Sequence, residues 1–417
     1  MNKLAIVGSG ITGLAAAQLL KDKYAVTVFE KAPKVGGLVK CDRVADNLFH
    51  RVGGHVFNSR RQDVLDWFWS FFDRDNEFLK AKRNAKIWMQ GKLIGYPLEN
   101  FLYQLERPVV DAILEDMLAI GAAGQARKPE DYPHFEAFLR GNFGDTLYNL
   151  YFKPYNQKIW NTDLTQVPLG WLEGKLPMPN LKQMLLSNIV KQEEGEMVHA
   201  TFYYAKENGS QFIVDRLSQG LNVRTSTPAE QLQATEGGWL VNGEAFEKVV
   251  FTGDVRTMHR LLVEPDEALA DAAGAVQSLP SNGTSNLFCE TDATDISWLY
   301  LPDSDIQAHR IIYTGTFAPS NNRGSNRMTC VVEFSGKHDR AFMEAQVQRL
   351  PGNLQALDHN YEPNSYVVQL TDTRRQIDTL KACLAPKGMF LAGRFAEWEY
   401  HNMDKAIEAA MTIADEL

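Results

Sequence analysis

The sequence predicts an α/β fold in which a doubly wound, Rossmann-type domain is interrupted by an inserted helical domain and by an antiparallel β-sheet domain. Three observations predict it. A strand, a glycine turn and a helix open the chain, helical patterns fill most of residues 109–153, and alternating strands occupy residues 280–370. Strand and helix patterns typical of the first domain return after residue 200 and near residue 390. The chain should therefore build that domain from separated segments.

The opening segment, Leu4–Leu20, carries an apolar strand, the stretch Gly8-Ser9-Gly10-Ile11-Thr12-Gly13 and an apolar helix. In this pattern Gly8 allows the tight turn, and Gly10 lets the backbone approach a pyrophosphate. Gly13 lets the helix pack closely on the strand, with the first helix amides directed at the phosphates. The order of these elements predicts a dinucleotide site.

The next segment indicates which dinucleotide the site binds. The strand Ala25–Phe29 ends at Glu30, where a carboxylate can accept hydrogen bonds from an adenosine ribose and would repel a ribose 2′-phosphate. A second glycine pair, Gly36-Gly37, follows within Lys31–Val39. This arrangement resembles the FAD-binding domain of the glutathione-reductase and amine-oxidase superfamily more than an NAD dehydrogenase. FAD is therefore the expected cofactor.

Two later stretches also point towards a flavin. Gly53-Gly54-His55 would let the backbone run close to a flat isoalloxazine ring, although a lone histidine is more often a satisfied structural residue. Near the end of the chain a strand closes on Gly393-Arg394, and a helix from Lys405 to Leu417 follows. The N-terminus of that helix could stabilise negative charge on a reduced ring. The alternative interpretation is that this strand and helix are only a βα unit that completes the fold.

Composition excludes several classes of function. The chain has 417 residues, 44% of them hydrophobic, with a net charge of −9. It therefore offers no broad basic face to nucleic acid, and an anionic ligand must be held by a few specific Arg and Lys side chains. No apolar run is long enough for a membrane span, and the strand at Leu4 leaves no room for a signal peptide, so we expect a cytoplasmic location. The four scattered cysteines predict neither disulfides nor a zinc site.

The expected domain boundaries follow from these patterns. Residues 1–80, 197–255 and 378–417 should form the FAD-binding domain, and residues 100–190 a mostly helical domain on the substrate side. Residues 85–98 and 275–372 should form the antiparallel sheet. Two aromatic segments that contain proline, Phe152–Trp160 and Trp171–Asn180, are expected to line a cavity.

Patches over most of the chain resemble the UDP-galactopyranose mutase family. Two of them are the most specific, Phe152–Trp160 and Gly393–Phe395 with Trp398–Tyr400. The remaining patches also occur in protoporphyrinogen-oxidase-like relatives; they are Gly8–Gly13, Gly53–His55, Tyr96-Pro97, Trp171–Asn180, Trp298–Pro302 and His309–Asn321.

This resemblance implies an isomerase in which reduced FAD acts as a nucleophile. Flavin N5 attacks the anomeric carbon of a nucleotide sugar, the nucleotide leaves, and the opened sugar recloses as a furanose with no net redox change. Cations must hold the departing diphosphate. The resemblance also implies a role in cell-surface polysaccharide biosynthesis, and a homodimer is compatible with it. Since the sequence has no further NAD(P)H turn, an external reductant such as NAD(P)H or a flavin donor is expected.

The resemblance also assigns roles to individual residues. The catalytic set is Arg310 and Lys153, which would hold the diphosphate, together with His55 beside the flavin. The substrate-binding set is Tyr300, Tyr400, Asn180, Phe138, Tyr96, Trp160 and Asn402. The cofactor-binding set is Gly8, Gly10, Ile11, Thr12, Gly13, Glu30, Lys31, Gly37, Leu38, Gly54, His55, Gly393, Arg394, Met403 and Asp404.

Two departures from the family pattern leave the sugar and the base open. Lys153 stands where the family has a second arginine, which exchanges a bidentate fork for a point charge. A tyrosine-proline pair of the family is not evident in Ser365–Asp372. Simpler interpretations also stay open: Arg310 could pair with Asp303 or Asp305, Lys153 could be a solvated helix end, and Tyr300 and Tyr400 could be ordinary half-buried tyrosines.

The main alternative function is a flavin oxidase or desaturase of the protoporphyrinogen-oxidase or amine-oxidase kind. Such an enzyme needs an apolar tunnel, which an aromatic set could line: Trp67, Phe138, Tyr148, Tyr151 and Trp160. A third alternative is a flavoprotein that has lost its reaction and acts as a binding module. Convergence of two cations and two tyrosines over the flavin would favour the mutase.

Overall fold

The computed structural model describes residues 1–123, 129–169, 181–191 and 201–417. Its strands are β1 (Lys3–Val7), β2 (Ala25–Phe29), β3 (Cys41–Val44), β4 (Asn47–His50), β5 (Phe78–Lys82), β6 (Ala85–Met89), β7 (Lys92–Gly95), β8 (Thr201–Ala205), β9 (Asn222–Arg224), β10 (Leu232–Thr235), β11 (Gly238–Val241), β12 (Glu244–Phe246), β13 (Lys248–Phe251), β14 (Ser281–Thr291), β15 (Trp298–Tyr300), β16 (Ala308–Ile312), β17 (Met328–Ser335), β18 (Gln355–Val367) and β19 (Met389–Leu391).

The helices of the described ranges alternate with these strands. They are α1 (Ile11–Leu20), α2 (Gln62–Trp69), α3 (Arg74–Glu77), α4 (Arg107–Ala122), α5 (Phe135–Leu147), α6 (Lys153–Trp160), α7 (Leu181–Val190), α8 (Gly209–Ser218), α9 (Met258–Leu261), α10 (Glu267–Val276), α11 (Arg340–Val347), α12 (Thr373–Leu384) and α13 (Met403–Glu416). None of them is both long and apolar enough to cross a bilayer.

A parallel sheet in the order β19-β13-β1-β2-β9 forms the first layer. Its central strand is buried on both faces, as a covered parallel sheet requires. Leu4 and Ile6 pack into one hydrophobic cluster with α1, α8 and α13, while Ala5 and Val7 pack into a second cluster with α10 and α12. The alternation follows from the two-residue period of a strand. The predicted α/β fold class is confirmed.

A seven-stranded sheet in the order β18-β14-β17-β16-β15-β6-β7 forms the second large layer. All of its pairings are antiparallel except the parallel pair β15–β6. The strand predicted at Ser365–Leu370 is longer and lies earlier, because β18 runs from Gln355 to Val367. Only its last three residues are fully buried, and the residues before them alternate in exposure. The apolar pattern therefore indicated only the end of the strand.

A helical layer covers one face of this sheet. Tyr148 and Tyr151 share a hydrophobic cluster with Ile87 and Tyr300 from the sheet. Residues Tyr148–Phe152 form a π-helical turn between α5 and α6. The segment Phe152–Trp160, expected to line a cavity, is helical from Lys153 onwards despite its proline, because Pro154 lies in the first turn of α6. The predicted Trp171–Asn180 wall lies outside the described residues.

Candidate functional site

The glycine turn after β1 has the geometry of a phosphate cradle. Gly8 has a φ of +105°, and its amide donates to the Phe29 carbonyl at 2.8 Å. A Cβ atom on Gly13 would lie 2.0 Å from the Gly8 carbonyl oxygen, so only glycine fits there. A Cβ atom on Gly37 would lie 3.2 Å from the Cα atom of Gly10. Two bare backbone segments therefore meet at the N-terminus of α1, where a phosphate is favoured.

Glu30 is fixed beside this turn. One carboxylate oxygen accepts from the Ser9 amide at 3.0 Å and from the Ser9 hydroxyl at 2.6 Å, and the other accepts from the Ala32 amide at 2.8 Å. The side chain is buried. An ionised carboxylate has about four acceptor positions, so these three bonds leave capacity for a ribose hydroxyl.

The loop after β19 closes the other side of the cradle. Gly393 has a φ of +89°, and a Cβ atom there would lie 2.6 Å from the Thr12 hydroxyl oxygen. Arg394 donates to the carbonyls of Ser365 and His401, and its guanidinium carbon lies 4.4 Å from the centre of the Tyr400 ring. These contacts hold the loop just before α13. Met403 and Asp404 lie in the first turn of that helix, and burial raises the pKa of Asp404.

The turn at Gly53-Gly54-His55 lies tightly against the seven-stranded sheet. A Cβ atom on Gly54 would lie 2.6 Å from a methyl carbon of Ile312 and 3.2 Å from Nε1 of Trp298. Within the described residues, Nε2 of His55 is buried and has no hydrogen-bond partner. Burial, together with the neighbouring His50 and Arg394, lowers the pKa of His55 to about 3, so the ring is neutral at pH 7. That nitrogen can therefore form a hydrogen bond with a ligand group or an ordered water.

These observations fit a flavin dinucleotide. The bare cradle, the ribose-side carboxylate and the unpartnered imidazole nitrogen occur in the order that the cofactor requires. Ile11 and Thr12 are buried at the start of α1, whereas Lys31 is exposed and Leu38 half-buried at the rim. No cluster of His, Cys, Asp or Glu able to hold a metal ion occurs in the part of the chain that the structure describes.

A row of polar side chains crosses the seven-stranded sheet next to the turn at Gly53-Gly54-His55. Tyr300 on β15, Arg310 on β16 and Glu333 on β17 are direct cross-strand partners, so their side chains share one face. Nε of Arg310 donates to Oε2 of Glu333, and the amide of Gly53 donates to Oε1 at 2.6 Å. Burial acts to raise the pKa of Glu333, but Arg310 and His309 hold it well below its usual range. The carboxylate thus links Arg310 to the turn at Gly53-Gly54-His55, which is called the flavin-side turn below.

Aromatic rings surround the row on the helical side. The Tyr96 ring centre lies 4.7 Å from that of Tyr300, and Tyr155 meets Tyr300 edge-on at 5.5 Å. Tyr151 stacks on Tyr155 at 5.8 Å, one helical turn away across the π-helical turn. A second group forms around Tyr366, which lies parallel to Tyr400 at 5.9 Å and edge-on to Trp160 at 5.7 Å.

Three residues of this site were not predicted. Glu333 gave no signal beyond a lone acid in an apolar strand, and Tyr366 was noted only within a stretch that lacks a tyrosine-proline pair. Arg83, between β5 and β6, donates from Nη2 to the hydroxyl of Tyr300 at 2.7 Å. Its guanidinium carbon lies 4.9 Å from the Tyr96 ring centre. Its only sequence signal was a basic residue just before the hairpin.

The remaining predicted site residues have other neighbours. Lys153 is half-buried in the first turn of α6 and acts electrostatically on Glu136 and Asp163. Phe138 is 2% exposed and packs edge-on against Tyr132 at 5.6 Å, as a core residue does. Asn402 is exposed as the N-cap residue of α13. Asn180 lies outside the described residues.

One simpler interpretation and one part of the oxidase alternative also change. The acid that binds Arg310 is Glu333 rather than Asp303 or Asp305, because Asp303 accepts from the Gln90 amide at 2.7 Å and Asp305 pairs with Arg349. Trp67 packs 4.9 Å from Phe71 in the cluster beside the parallel sheet. It is therefore separate from the other four proposed tunnel residues, which belong to the helical-layer cluster or pack against it.

Comparison with known proteins places this geometry in context. The chain is 23% identical to UDP-galactopyranose mutase of Mycoplasma genitalium, over 99% of the chain and 94% of that protein. It is 25% identical to dTDP-fucopyranose mutase of Escherichia coli over 184 residues, which span 43% of the chain and 46% of that relative.

Solved structures share the fold. A crystal structure of reduced UDP-galactopyranose mutase matches with a TM-score of 0.87 and 19% identity, over 100% of this chain and 93% of that one. A putrescine oxidase bound to putrescine matches with a TM-score of 0.60 and 17% identity, over 100% of this chain and 98% of that one. The profile of the flavin containing amine oxidoreductase family matches residues 11–417. Because that match covers nearly the whole chain and the cradle fits a flavin, the chain belongs to the flavin containing amine oxidoreductase family.

Proposed function

We propose that the chain is a flavin-dependent nucleotide-sugar mutase, similar to UDP-galactopyranose mutase, that interconverts pyranose and furanose forms of its substrate. The observation that carries the proposal is the bridge made by Glu333, which binds Arg310 through one oxygen and the Gly53 amide through the other. A cation suited to a diphosphate is thereby held at a fixed position next to the flavin-side turn. The mutase relatives support the same conclusion.

Each part of the site has a role in this proposal. When bound and reduced, the flavin supplies the nucleophile. Arg310 and the hydroxyl of Tyr300 bind the diphosphate and stabilise the charge that develops as it leaves. Neutral His55 presents Nε2 to the cofactor side of the cavity. The rings of Tyr155 and Tyr366 enclose the sugar and keep water from the opened form.

The cellular setting belongs to the same proposal. The enzyme would work in the cytoplasm on a nucleotide sugar for cell-surface polysaccharide, with NAD(P)H or a flavin donor as external reductant. We also infer the three-part division given by residues 1–80, 197–255 and 378–417, residues 100–190, and residues 85–98 with 275–372. The sugar and the base stay open, and the relatives named above suggest UDP and dTDP sugars as probes.

The test is anaerobic incubation of the flavin-loaded protein with UDP-galactofuranose and then with dTDP and UDP sugars in both ring forms. We expect ring interconversion after dithionite reduction and none with the oxidised flavin. Products are separated by chromatography. Interconversion that is equally fast in both redox states, or no conversion of any sugar with flavin bound, would contradict the proposal.

The second candidate is a flavin oxidase, which the family and the fold of putrescine oxidase favour. Oxygen consumption with a panel of amines tests it. Amine-dependent oxygen consumption would move the assignment to the oxidase.

A further inference from the structure

A pyrophosphate bound at the start of α1 would add negative charge to a buried site that already holds a carboxylate. Glu30 is buried beside the glycine turn and accepts hydrogen bonds from the amide and the hydroxyl of Ser9. The backbone amides of the cradle and the α1 dipole offer only partial positive charge. Buried charges of like sign repel each other unless a cation lies close to them. A cationic side chain near the cradle would therefore stabilise the bound cofactor.

We propose that this cation is Lys40 and that its ammonium binds the pyrophosphate of FAD. Lys40 directly follows the short 3₁₀ turn Gly37–Val39. A Cβ atom on Gly36 would lie 3.2 Å from Cγ of Lys40, so the lysine stem lies against the glycine pair. The amide of Gly36 donates to the Ser9 carbonyl at 2.9 Å, which joins that pair to the phosphate cradle. Lys40 is thus anchored at the rim of the cradle.

The ammonium of Lys40 is available for a ligand. Within the ranges that the structure describes, no hydrogen bond or ion pair engages it. The side chain is half-buried, and burial lowers its pKa. Of the charged side chains that act on Lys40, Glu30 has the largest effect, and Glu362 on β18 has a smaller one. A half-buried cation beside the ribose-side carboxylate would gain a partner when an anion binds.

The neighbouring cations of this segment are already compensated. Arg51, whose amide donates to the Lys40 carbonyl at 3.1 Å, forms an ion pair of 2.6 Å with Asp42. Lys34 lies 3.7 Å from the same carboxylate. Lys31 is exposed, so water solvates its charge. Lys40 therefore differs from these three side chains in being both half-buried and unpaired within the described ranges.

The chemistry of a lysine suits this position. Its ammonium is a compact charge on a flexible stem, which can contact oxygens of both phosphates, while the bare backbone supplies directional N–H donors. The inference concerns the binding of the cofactor and not the reaction, so it goes beyond the proposed function. It holds for the mutase and for the oxidase alternative alike.

The experiment uses the protein with FAD bound and observes the cofactor rather than turnover. Phosphorus NMR detects the phosphates of bound FAD, and the fluorescence of released flavin gives the rate of FAD dissociation after dilution. The variants are K40Q, K40R and K31Q. Lys182→Gln is the matched control, because it removes the same charge from an exposed position on α7. The far-ultraviolet circular dichroism spectrum verifies that each variant is folded.

We expect K40Q to shift the phosphorus signals of bound FAD and to speed its dissociation by about 10- to 100-fold, the range for a hydrogen bond to a charged group. K40R should restore most of the wild-type dissociation rate. K31Q should change that rate by less than about threefold, because its charge is exposed. K182Q should match the wild type in both measurements. A K40Q protein that folds without FAD, beside a K40R protein that retains it, would also support the contact.

Three outcomes would overturn the role of Lys40. The first is a K40Q protein whose phosphorus signals match the wild type, or whose dissociation rate lies within about twofold of it. The second is equal acceleration in K31Q and K40Q, which would indicate a general effect of charge on this loop. The third applies if K40Q does not fold: the larger head group of K40R must then shift the phosphorus signals, and an unchanged spectrum refutes the contact.

Discussion

Glu333 and Arg310 are opposite each other on neighbouring strands, and the carboxylate is completely buried while the Arg310 side chain is 18% exposed. Breaking a buried pair by removing one charge leaves the other uncompensated. Because Glu333 also accepts from the Gly53 amide at 2.6 Å, one side chain holds both Arg310 and the turn at Gly53-Gly54-His55.

The first prediction concerns this carboxylate. E333Q should lower the free energy of unfolding by about 3–5 kcal/mol, because Arg310 then lies beside a neutral amide. Urea unfolding of the flavin-loaded protein measures it. The control is E344Q, which breaks the exposed pair between Glu344 and Arg340 and should cost less than about 1 kcal/mol. Equal losses in the two variants would show that the buried pair has no special role.

The second prediction separates charge from shape at Arg310. R310K keeps a positive charge beside Glu333 but loses the planar fork, so we expect the variant to fold and to retain flavin. Ring interconversion should fall by at least about 100-fold, the scale of a lost transition-state contact. R310A should lose turnover too, and it should also be less stable because Glu333 is left unpaired. Loss of flavin from R310K would instead assign Arg310 a structural role.

The third prediction distinguishes two glycines of the same turn. A Cβ atom on Gly10 would meet only the Gly37 Cα atom, at 3.9 Å, whereas one on Gly13 would lie 2.0 Å from the Gly8 carbonyl oxygen. G10V should therefore fold but carry little FAD, because its side chain fills the phosphate cradle. G13A should unfold at a lower temperature or fail to accumulate. Flavin absorbance per protein and thermal melting measure the two effects, and normal FAD occupancy of G10V would refute the cradle.

The fourth prediction concerns Lys158, on α6. Nζ of Lys158 donates to the carbonyls of Leu301 and Asp303 at 2.7 and 2.6 Å, in the connection between β15 and β16. Burial lowers its pKa to about 8. K158M should cost about 1–3 kcal/mol in urea unfolding, because those carbonyls lose their donor.

The matched control for Lys158 is K92M, in which an exposed pair with Glu106 is lost. It should change the free energy of unfolding by less than about 1 kcal/mol. If K158M is as stable as K92M, the connection between β15 and β16 does not depend on the lysine.

The sequence predicted local features well and long-range pairing poorly. The glycine turn and Glu30 lie close together in the chain, so spacing alone indicated the dinucleotide site. Glu333 reaches Gly53 across 280 positions and Arg83 reaches Tyr300 across 217, and no periodicity encodes such contacts. The family motif assigns Lys153 its role, but a motif does not reveal that Glu136 and Asp163 are electrostatic neighbours of this lysine.

The fifth prediction is a pH dependence of stability. Glu99 is 2% exposed, its Oε2 has no hydrogen-bond partner among the described residues, and burial raises its pKa from 4.5 to about 7. The folded state therefore binds this proton more tightly than the unfolded state. The contribution of Glu99 to the free energy of unfolding should decline as the pH rises from about 4.5 to about 7, and it should stay constant above pH 7.

E99Q removes this proton uptake. Relative to the wild type, the variant should gain stability between about pH 4.5 and pH 7, by at most about 3.5 kcal/mol, since one pKa unit corresponds to about 1.4 kcal/mol and the pKa rises from 4.5 to about 7. Urea unfolding at several pH values measures the difference. The exposed Glu236→Gln control should give a pH profile parallel to the wild type. A constant difference between E99Q and the wild type over the whole range would mean that Glu99 is ionised or protonated alike in both states.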